Sequence, residues 1–294
     1  MQRWFSKSSC WRSSKLTAQL PSAEVIAEQV ASALCEDVGT GDRTAALIPE
    51  EDVSTVQVVC REEAVLCGTA WFDEAFRQLD STIHIDWSAA DGDRVSAGRV
   101  LCQFSGKTRA LLTGERTALN YLQTLSGTAT LARRYAQAVE GTGVKVLDTR
   151  KTVPGLRLQQ KYAVACGGCY NHRIGLYDAI LIKENHILAA GSVAAAVNTA
   201  LTSASGIEVE VEVESLDELQ EALQAGARRI LLDNFTLEML RDAVTLSDGE
   251  ARLEASGNIT LETIRSIAET GVNDISIGAL TKDVTAVDLS MRFV

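Results

Sequence analysis

Positive charge is concentrated in LDTRKTVPGLR, residues 147–157, which follows an apolar run beginning at Val144. The stretch carries Arg150, Lys151 and Arg157 in a chain whose formal net charge is −11. Cations at the end of a buried strand are costly unless an opposite charge pairs with them. We therefore predict that this cluster binds an anion.

Negative charge is concentrated in EVEVEVE, residues 208–214, where Val and Glu alternate. In a β-strand this alternation places all the Val side chains on one face and all the Glu side chains on the other. If the strand belongs to a barrel, the Glu face points inward and needs cationic partners. Arg150, Lys151 and Lys183 at other strand ends are candidates, and an edge strand with a solvated Glu face is the alternative.

The segments that must position these charges repeat as strand then helix after about residue 144. The strand candidates are VKVLD, DAILIK, IEVEVEVE, RRILLDN, ARLEASG and DISIGAL. Such parallel βα units can close into a barrel. A doubly wound open sheet is the alternative, but no G-x-G-x-x-G follows any candidate strand.

Residues 22–112 have a different pattern, with a helix from about Ser22 and then alternating strand-like runs around WFDEAFRQL. This pattern predicts a small α+β domain. GERTALNYLQTLSGTATLARRYAQAVEG follows as a long helical passage, either continuous or broken near Ser126 and Gly127. We place the domains at residues 22–115 and 116–294, after an arm at residues 1–21.

Barrel enzymes place their chemistry at the carboxyl ends of the strands, where this chain has both signs of charge. Reading that position along the sequence gives Asp148, Arg150, Lys151, Lys183, Glu212 or Glu214, Asp233, Ser256 and Gly278. The turn Ser256, Gly257, Asn258 leads into a helix that we expect Thr260 to cap, which favours phosphate binding there. Gly278 would allow close backbone approach on the next strand.

CGGC, residues 166–169, could bind a metal or act in redox chemistry, but a tight turn before NHR explains it equally well. His172 and Arg173 place a titratable ring beside a fixed cation. A structural hydrogen bond is the alternative for His172. His84 and His186 are interpreted as structural.

The acidic balance, with a pI near 4.9, argues against general nucleic-acid binding. No apolar run approaches the roughly 20 residues that span a bilayer, so we expect no membrane association. Seven cysteines without a disulfide-like framework favour a reducing compartment, interpreted as the cytoplasm. The basic, Ser-rich arm has the composition of some organelle transit peptides, although a plain terminal arm is preferred.

Several segments together resemble the quinolinate phosphoribosyltransferases, the decarboxylating transferases of NAD biosynthesis. They are EDVGTGDRT, GERTALNYLQTLSG, DTRKTVPGLR, KYAVACGGCYNHRIGLYDAILIKENHI, VEVEVESLDEL, LLDNF, EASGNIT and DISIGALT. The resemblance implies an N-terminal α/β sandwich followed by an incomplete α/β barrel, with the C-terminal segment returning to the sandwich. It also implies a homodimer that joins quinolinate to phosphoribosyl pyrophosphate with Mg²⁺, giving nicotinate mononucleotide, pyrophosphate and carbon dioxide.

The resemblance also implies the roles of individual residues. The quinolinate site would comprise Thr149, Arg150, Lys151, His172 and Arg173, with Arg116 from the partner subunit. Lys183 would serve the diphosphate or ribose, Glu212 and Asp233 the ribose hydroxyls and Mg²⁺, and Lys151, Glu212 and Asp233 catalysis. The 5′-phosphate would lie at Ser256, Gly257, Asn258 and Gly278.

The family has three successive glycines before the NHR segment, where this chain has Gly167, Gly168 and Cys169. Two alternatives remain for function. One is the molybdate-transport-associated paralogue of the same family, and the other is a non-catalytic barrel that binds a phosphorylated ligand. Carboxylates at Glu212 and Asp233 favour an enzyme over that sensor, because phosphate binding does not need them.

Overall fold

The computed structural model describes residues 19–204 and 206–294. Of the arm predicted at residues 1–21, residues 1–18 lie outside the described residues. Within the described ranges, no helix has both the length and the apolar character needed to cross a bilayer.

The helices and strands fall into two groups along the chain. The first group is α1 (Ala23–Val38), β1 (Val53–Cys60), β2 (Ala64–Val65), α2 (Thr69–Leu79), β3 (His84–Trp87), β4 (Arg94–Val95), β5 (Val100–Lys107) and α3 (Thr108–Ala138). The second group has the strands β6 (Lys145–Leu147), β7 (Ala179–Ile182), β8 (Glu208–Val213), β9 (Arg229–Asp233), β10 (Arg252–Ser256), β11 (Asp274–Ser276) and β12 (Leu289–Phe293). Its helices are α4 (Arg157–Cys166), α5 (Glu184–Ala190), α6 (Val193–Ser203), α7 (Leu216–Gln224), α8 (Leu237–Ser247), α9 (Ile264–Ala268) and α10 (Ala279–Lys282).

The N-terminal part is an antiparallel sheet in the order β12-β1-β5-β3, covered by helices. The predicted first helix is confirmed as α1, whose N-cap Ser22 accepts a hydrogen bond from the Val25 amide. Helix α2 contributes the fully buried Trp71 and Phe72 to the core. Burial of such aromatic side chains supplies much of the hydrophobic stabilisation of a small sheet domain.

Helix α3 is continuous from Thr108 to Ala138, so the small residues near its middle do not break it. They let other segments approach the helix closely instead. The Ser126 hydroxyl accepts a hydrogen bond from the Cys67 amide at 3.0 Å. A Cβ atom at Gly127 would lie 2.0 Å from the Thr285 carbonyl oxygen. The proposed domain boundary at residues 115 and 116 falls inside this helix and stays a prediction.

The six predicted strands of the second part all form, and they build one parallel sheet in the order β6-β11-β10-β9-β8-β7. No pairing joins β6 to β7 within the described chain, so the barrel is incomplete. Strand β8 lies between β7 and β9, which rules out the edge-strand interpretation of its Glu residues. The last strand, β12, leaves the barrel and pairs antiparallel with β1. The α/β fold class is confirmed.

A buried ion pair fixes the segment after β6 to the rest of the barrel. The Asp148 side chain is fully buried and pairs with Lys161 Nζ on α4. Asp148 also accepts hydrogen bonds from Asn171 Nδ2 at 2.7 Å and from the His172 amide at 2.9 Å. Burial raises the pKa of Asp148 and lowers the pKa of Lys161, while their mutual contact opposes both shifts. One carboxylate therefore holds together the two cation-bearing segments at residues 147–157 and 171–173.

We expect Lys161→Met to lower the free energy of unfolding by about 3–5 kcal/mol, because it leaves the Asp148 charge buried and unpaired. Urea denaturation would measure this loss. Lys107→Met is the matched control, since its partner Glu51 lies 4.0 Å away and both side chains are exposed. Adding Asp148→Asn to Lys161→Met should recover part of the loss. A single variant as stable as the parent would contradict a structural role for this pair.

Candidate active site

A cavity of about 630 Å³ opens at the carboxyl ends of the barrel strands. The predicted site residues that line it are Thr149, Lys151, Asp233, Ser256, Gly257, Asn258 and Gly278. They come from the carboxyl ends of β6, β11, β10 and β9 and from the segments that follow them. These four strands are direct neighbours in the sheet. Both a cation and a carboxylate therefore face one cavity.

Glycine is required at one side of this cavity. The backbone at Gly257 has φ +107°, and a Cβ atom there would lie 2.2 Å from Asn234 Oδ1. At Gly278 a Cβ atom would lie 3.1 Å from Lys151 Cδ, so the lysine stem lies directly over this glycine.

The helix predicted after the turn at residues 256–258 starts later than expected, so Thr260 is not its N-cap. The Thr260 carbonyl accepts from the Ile264 amide at 2.9 Å, and α9 begins only at Ile264. The Thr260 amide donates a hydrogen bond to Thr263 Oγ1, and this contact forms a turn ahead of the helix.

Lys183, Glu212 and Asp233 occupy the ends of the adjoining strands. Lys183 Nζ pairs with Glu212, whose side chain is 14% exposed. Burial and then the Glu212 charge raise the pKa of Asp233, and Lys183 and Lys151 oppose this shift. Two carboxylates and two lysines are therefore close enough to influence one another electrostatically.

Arg150 and Arg173 bring two guanidinium groups together beside the cavity. Burial and then repulsion from Arg150 lower the pKa of Arg173. Arg173 Nη1 donates to the Ala179 carbonyl at 3.3 Å, whereas Arg150 Nε is buried without a hydrogen-bond partner. Among the described residues, no carboxylate oxygen lies within 4.0 Å of either guanidinium. Glu210 and Asp178 oppose the lowering of the Arg173 pKa from a longer distance. Two close guanidinium groups with no carboxylate at contact distance form a site for an anion.

His172 lies at the boundary between these arginines and a buried acidic cluster. Its Nε2 is 2.9 Å from Glu210 Oε2 and 3.5 Å from Glu254 Oε2. Burial opposes protonation of the ring, but the two carboxylates outweigh it and raise the pKa of His172 to about 9. Its Nδ1 accepts from the Arg173 amide at 2.8 Å. A doubly protonated ring has no acceptor, so the charged form must give up this bond, which frees an N–H for an anion.

Arg229 neutralises the acidic cluster from the other side. Its guanidinium donates to Glu210 Oε1 at 3.0 Å and to Glu254 Oε2 at 2.7 Å. Sequence reasoning missed Arg229 and Glu254, although strand parity could have found them. Arg229 has the same parity as Asp233 on β9, and Glu254 the same parity as Ser256 on β10, so both side chains point inward.

The other predicted positions are accounted for as follows. Arg116 is exposed on α3. The predicted site residues that do not line the cavity are Arg116, Arg150, His172, Arg173, Lys183 and Glu212. His186 caps α5 by accepting from the Lys183 amide, and His84 is exposed.

The C-x-x-C cysteines do not converge on one point. Cys169 Sγ donates to the Ala132 carbonyl at 3.1 Å, whereas Cys166 interacts with Cys67 and Tyr162. In the described ranges, the cluster with metal-ligating geometry is His172, Glu210 and Glu254, and it contains neither cysteine. Arg229 already supplies the cation for those carboxylates.

Comparison with known proteins identifies two matching domains. The N-terminal domain of quinolinate phosphoribosyl transferase matches residues 40–126, and the C-terminal domain matches residues 128–292. A Bacillus subtilis protein named probable nicotinate-nucleotide pyrophosphorylase [carboxylating] is 43% identical over 257 residues, which cover 87% of this chain and 89% of that protein. The chloroplastic nicotinate-nucleotide pyrophosphorylase [carboxylating] of Arabidopsis thaliana is 40% identical over 281 residues, covering 88% of this chain and 80% of that protein.

A solved structure agrees with these sequence matches. The nicotinate-nucleotide pyrophosphorylase of Francisella tularensis superposes with a TM-score of 0.91 at 45% identity, covering 96% of this chain and 99% of that one. With both domains matched in order and the fold shared, this chain belongs to the quinolinate phosphoribosyltransferase family.

Proposed function

We propose that this protein transfers the phosphoribosyl group of phosphoribosyl pyrophosphate to quinolinate with loss of carbon dioxide, forming nicotinate mononucleotide and pyrophosphate in NAD biosynthesis. The observation that carries the proposal is the pair Arg150 and Arg173, two guanidinium groups that repel each other and have no carboxylate oxygen within 4.0 Å in the described chain. A dicarboxylate supplies the two anionic groups that this pair lacks. The names and extent of the relatives support the same activity.

The substrates can be assigned to different parts of the site. Quinolinate would bind at Arg150, Arg173 and His172, with Thr149 and Lys151 between it and the second substrate. The 5′-phosphate would lie at the turn Ser256, Gly257, Asn258 and at Gly278, which line the same cavity. The ribose hydroxyls would face Glu212 and Asp233, and Lys183 would approach the diphosphate.

This arrangement favours attack of the pyridine nitrogen on the anomeric carbon. The bond from that carbon to the pyrophosphate oxygen breaks, so positive charge develops on the ribose while negative charge develops on the leaving group. Glu212 and Asp233 would stabilise the first charge, and Lys151 and Lys183 the second. The ring nitrogen is then quaternary, and it stabilises the electron pair left on the adjacent carbon when carbon dioxide departs. That carbon then takes up one proton, which gives nicotinate mononucleotide.

Glu212 and Asp233 also fit Mg²⁺, because both are oxygen donors at the ends of neighbouring strands and the Glu212 charge raises the pKa of Asp233. A bound Mg²⁺ would neutralise charge on the diphosphate. Lys183 pairs with Glu212 in this structure and would exchange that partner for the diphosphate when substrate binds.

A homodimer with shared sites is the proposed assembly. Arg116 is exposed on α3 and outside its own cavity, so it is free to enter the site of a partner subunit. The cytoplasm is the proposed location, because the described cysteines are all free thiols, as in a reducing compartment. Neither the paralogue nor the sensor is favoured by a particular observation.

Purified protein should release carbon dioxide and pyrophosphate when given quinolinate and phosphoribosyl pyrophosphate. In the same assay, Arg173→Ala should raise the quinolinate KM about tenfold or more, because a charge-assisted hydrogen bond contributes about 1.5–3 kcal/mol. The KM for phosphoribosyl pyrophosphate should change little. Arg241→Ala, an exposed arginine on α8, is the control. Equal weakening of both substrates would argue against the assignment of Arg173.

The His172 charge should control the pH dependence of quinolinate use. Below its pKa of about 9 the ring is protonated, so kcat/KM should be highest there and fall as the pH rises through that value. Glu210→Gln removes one of the carboxylates that raise this pKa, so the fall should move to lower pH. Glu208→Gln, with an exposed side chain on the same strand, is the control. Identical pH profiles for the parent and Glu210→Gln would refute this role.

Subunit mixing tests the shared site. If Arg116 acts in the partner's site, Arg116→Ala and Lys151→Ala subunits should each be inactive alone but should form heterodimers with one intact site of two. Random exchange makes about half of all dimers hetero, so roughly a quarter of full activity should return. Native mass spectrometry would verify exchange. Absence of recovery in a verified mixture would show that Arg116 acts within its own chain.

A further inference from the structure

A second cavity, of about 320 Å³, lies where the strands β2 and β4 meet the C-terminal half of helix α3. Its charged lining consists of Glu63, Arg94, Arg99, Arg133 and Arg134. Four guanidinium groups around one cavity are unusual in a chain with 39 acidic and 28 basic residues. None of the four lies within 4.0 Å of a carboxylate oxygen in the described chain.

Arg133 carries the second, independent observation. Its Nε is buried and has no hydrogen-bond partner, although burying an unpaired donor of this kind is costly. The guanidinium packs against the turn at Gly168, where a Cβ atom would lie 3.4 Å from Nη1. A positive φ of +95° favours glycine at that position. The orientation of this cation is therefore set by the turn.

The walls of the cavity are fixed by hydrogen bonds. Thr130 Oγ1 accepts from the Val65 amide at 2.9 Å and donates to the Ser126 carbonyl at 2.7 Å, which ties β2 to α3. Arg99 Nη2 donates to the Ser88 carbonyl at 2.7 Å, which restrains a third side of the pocket. A cavity whose walls are already fixed loses less conformational entropy when it binds a small anion.

We propose that this arginine cavity binds an oligophosphate-bearing small molecule at a site separate from the catalytic cavity. The two cavities have no lining residue in common. Helix α3 contributes to both: Tyr135 lines the catalytic cavity, whereas Arg133 and Arg134 line the arginine cavity. A chain of phosphates supplies several anionic oxygens for planar guanidinium groups. The basic segment before Glu24 is a poor occupant, because it carries the same sign of charge.

Isothermal titration with inorganic tripolyphosphate at low ionic strength tests the proposal. Each lost charge-assisted contact should weaken tripolyphosphate binding about tenfold, so the double variant Arg94→Ala/Arg134→Ala should weaken it about a hundredfold. Arg228→Ala/Arg241→Ala removes the same charge from exposed positions elsewhere and should change binding less than about twofold. Both cavity positions are exposed, so the double variant should fold, and each single variant gives an independent tenfold test.

Activity measurements separate this site from the catalytic one. The cavity variant should keep the parent's KM for phosphoribosyl pyrophosphate, and Lys151→Ala should keep tripolyphosphate binding. Titration with ATP distinguishes the sources of the phosphates: equal affinities indicate recognition of the phosphate chain alone, and tighter ATP binding indicates a nucleotide. Absence of tripolyphosphate binding, binding unaffected by Arg94→Ala/Arg134→Ala, or a parallel rise in that KM would overturn the proposal.

Discussion

The site depends on one buried carboxylate, that of Asp148. It follows β6 directly, and it holds Lys161 of α4 and the backbone of His172 at the same time. Arg157 adds a second link between the segments bearing Arg150 and Arg173, because its guanidinium donates to the Arg150 and Ile174 carbonyls at 3.3 Å. Two mutually repelling cations can be held close together only if the surrounding structure is rigid. The Asp148 contacts provide that rigidity in the interior, away from solvent screening.

A second consequence is the division of charge across the barrel. Towards the interior, Arg229 balances Glu210 and Glu254, so those carboxylates have a cation even without substrate. Arg150 and Arg173, by contrast, have no carboxylate oxygen within 4.0 Å in the described chain. His172 stands between the two regions, with Nε2 against Glu210 and Nδ1 against the Arg173 amide. The fold thus keeps its buried charges paired and leaves unpaired those that can meet an anion.

Much of this organisation follows from sequence periodicity. The strands and the inward Glu face of β8 were predictable because alternation determines which side chains share a face. The continuity of α3 was not predictable. Ser126 and Gly127 are contacted by Cys67 and Thr285, which are distant in sequence, and only those contacts explain the small residues within the helix. Lys161 was also missed, since a lysine within a helix is ordinarily solvated. The burial of Lys161 is explained only by the position of Asp148 in the folded chain. The proposed role of Arg116 in a partner's site depends on a surface that one chain does not contain.

The return of β12 to the first sheet has a consequence for folding during synthesis. Phe293 pairs with Val56 in β1, more than 200 residues earlier in the sequence. The N-terminal sheet therefore cannot acquire its outer strand until the chain has been synthesised as far as Phe293 and this segment has left the ribosome. Until then β1 presents an unpaired edge, which can pair with other nascent chains. Pairing between such distant segments also slows folding. The N-terminal domain is made first but completed last, so its folding should be the step most sensitive to chaperones and to C-terminal truncation.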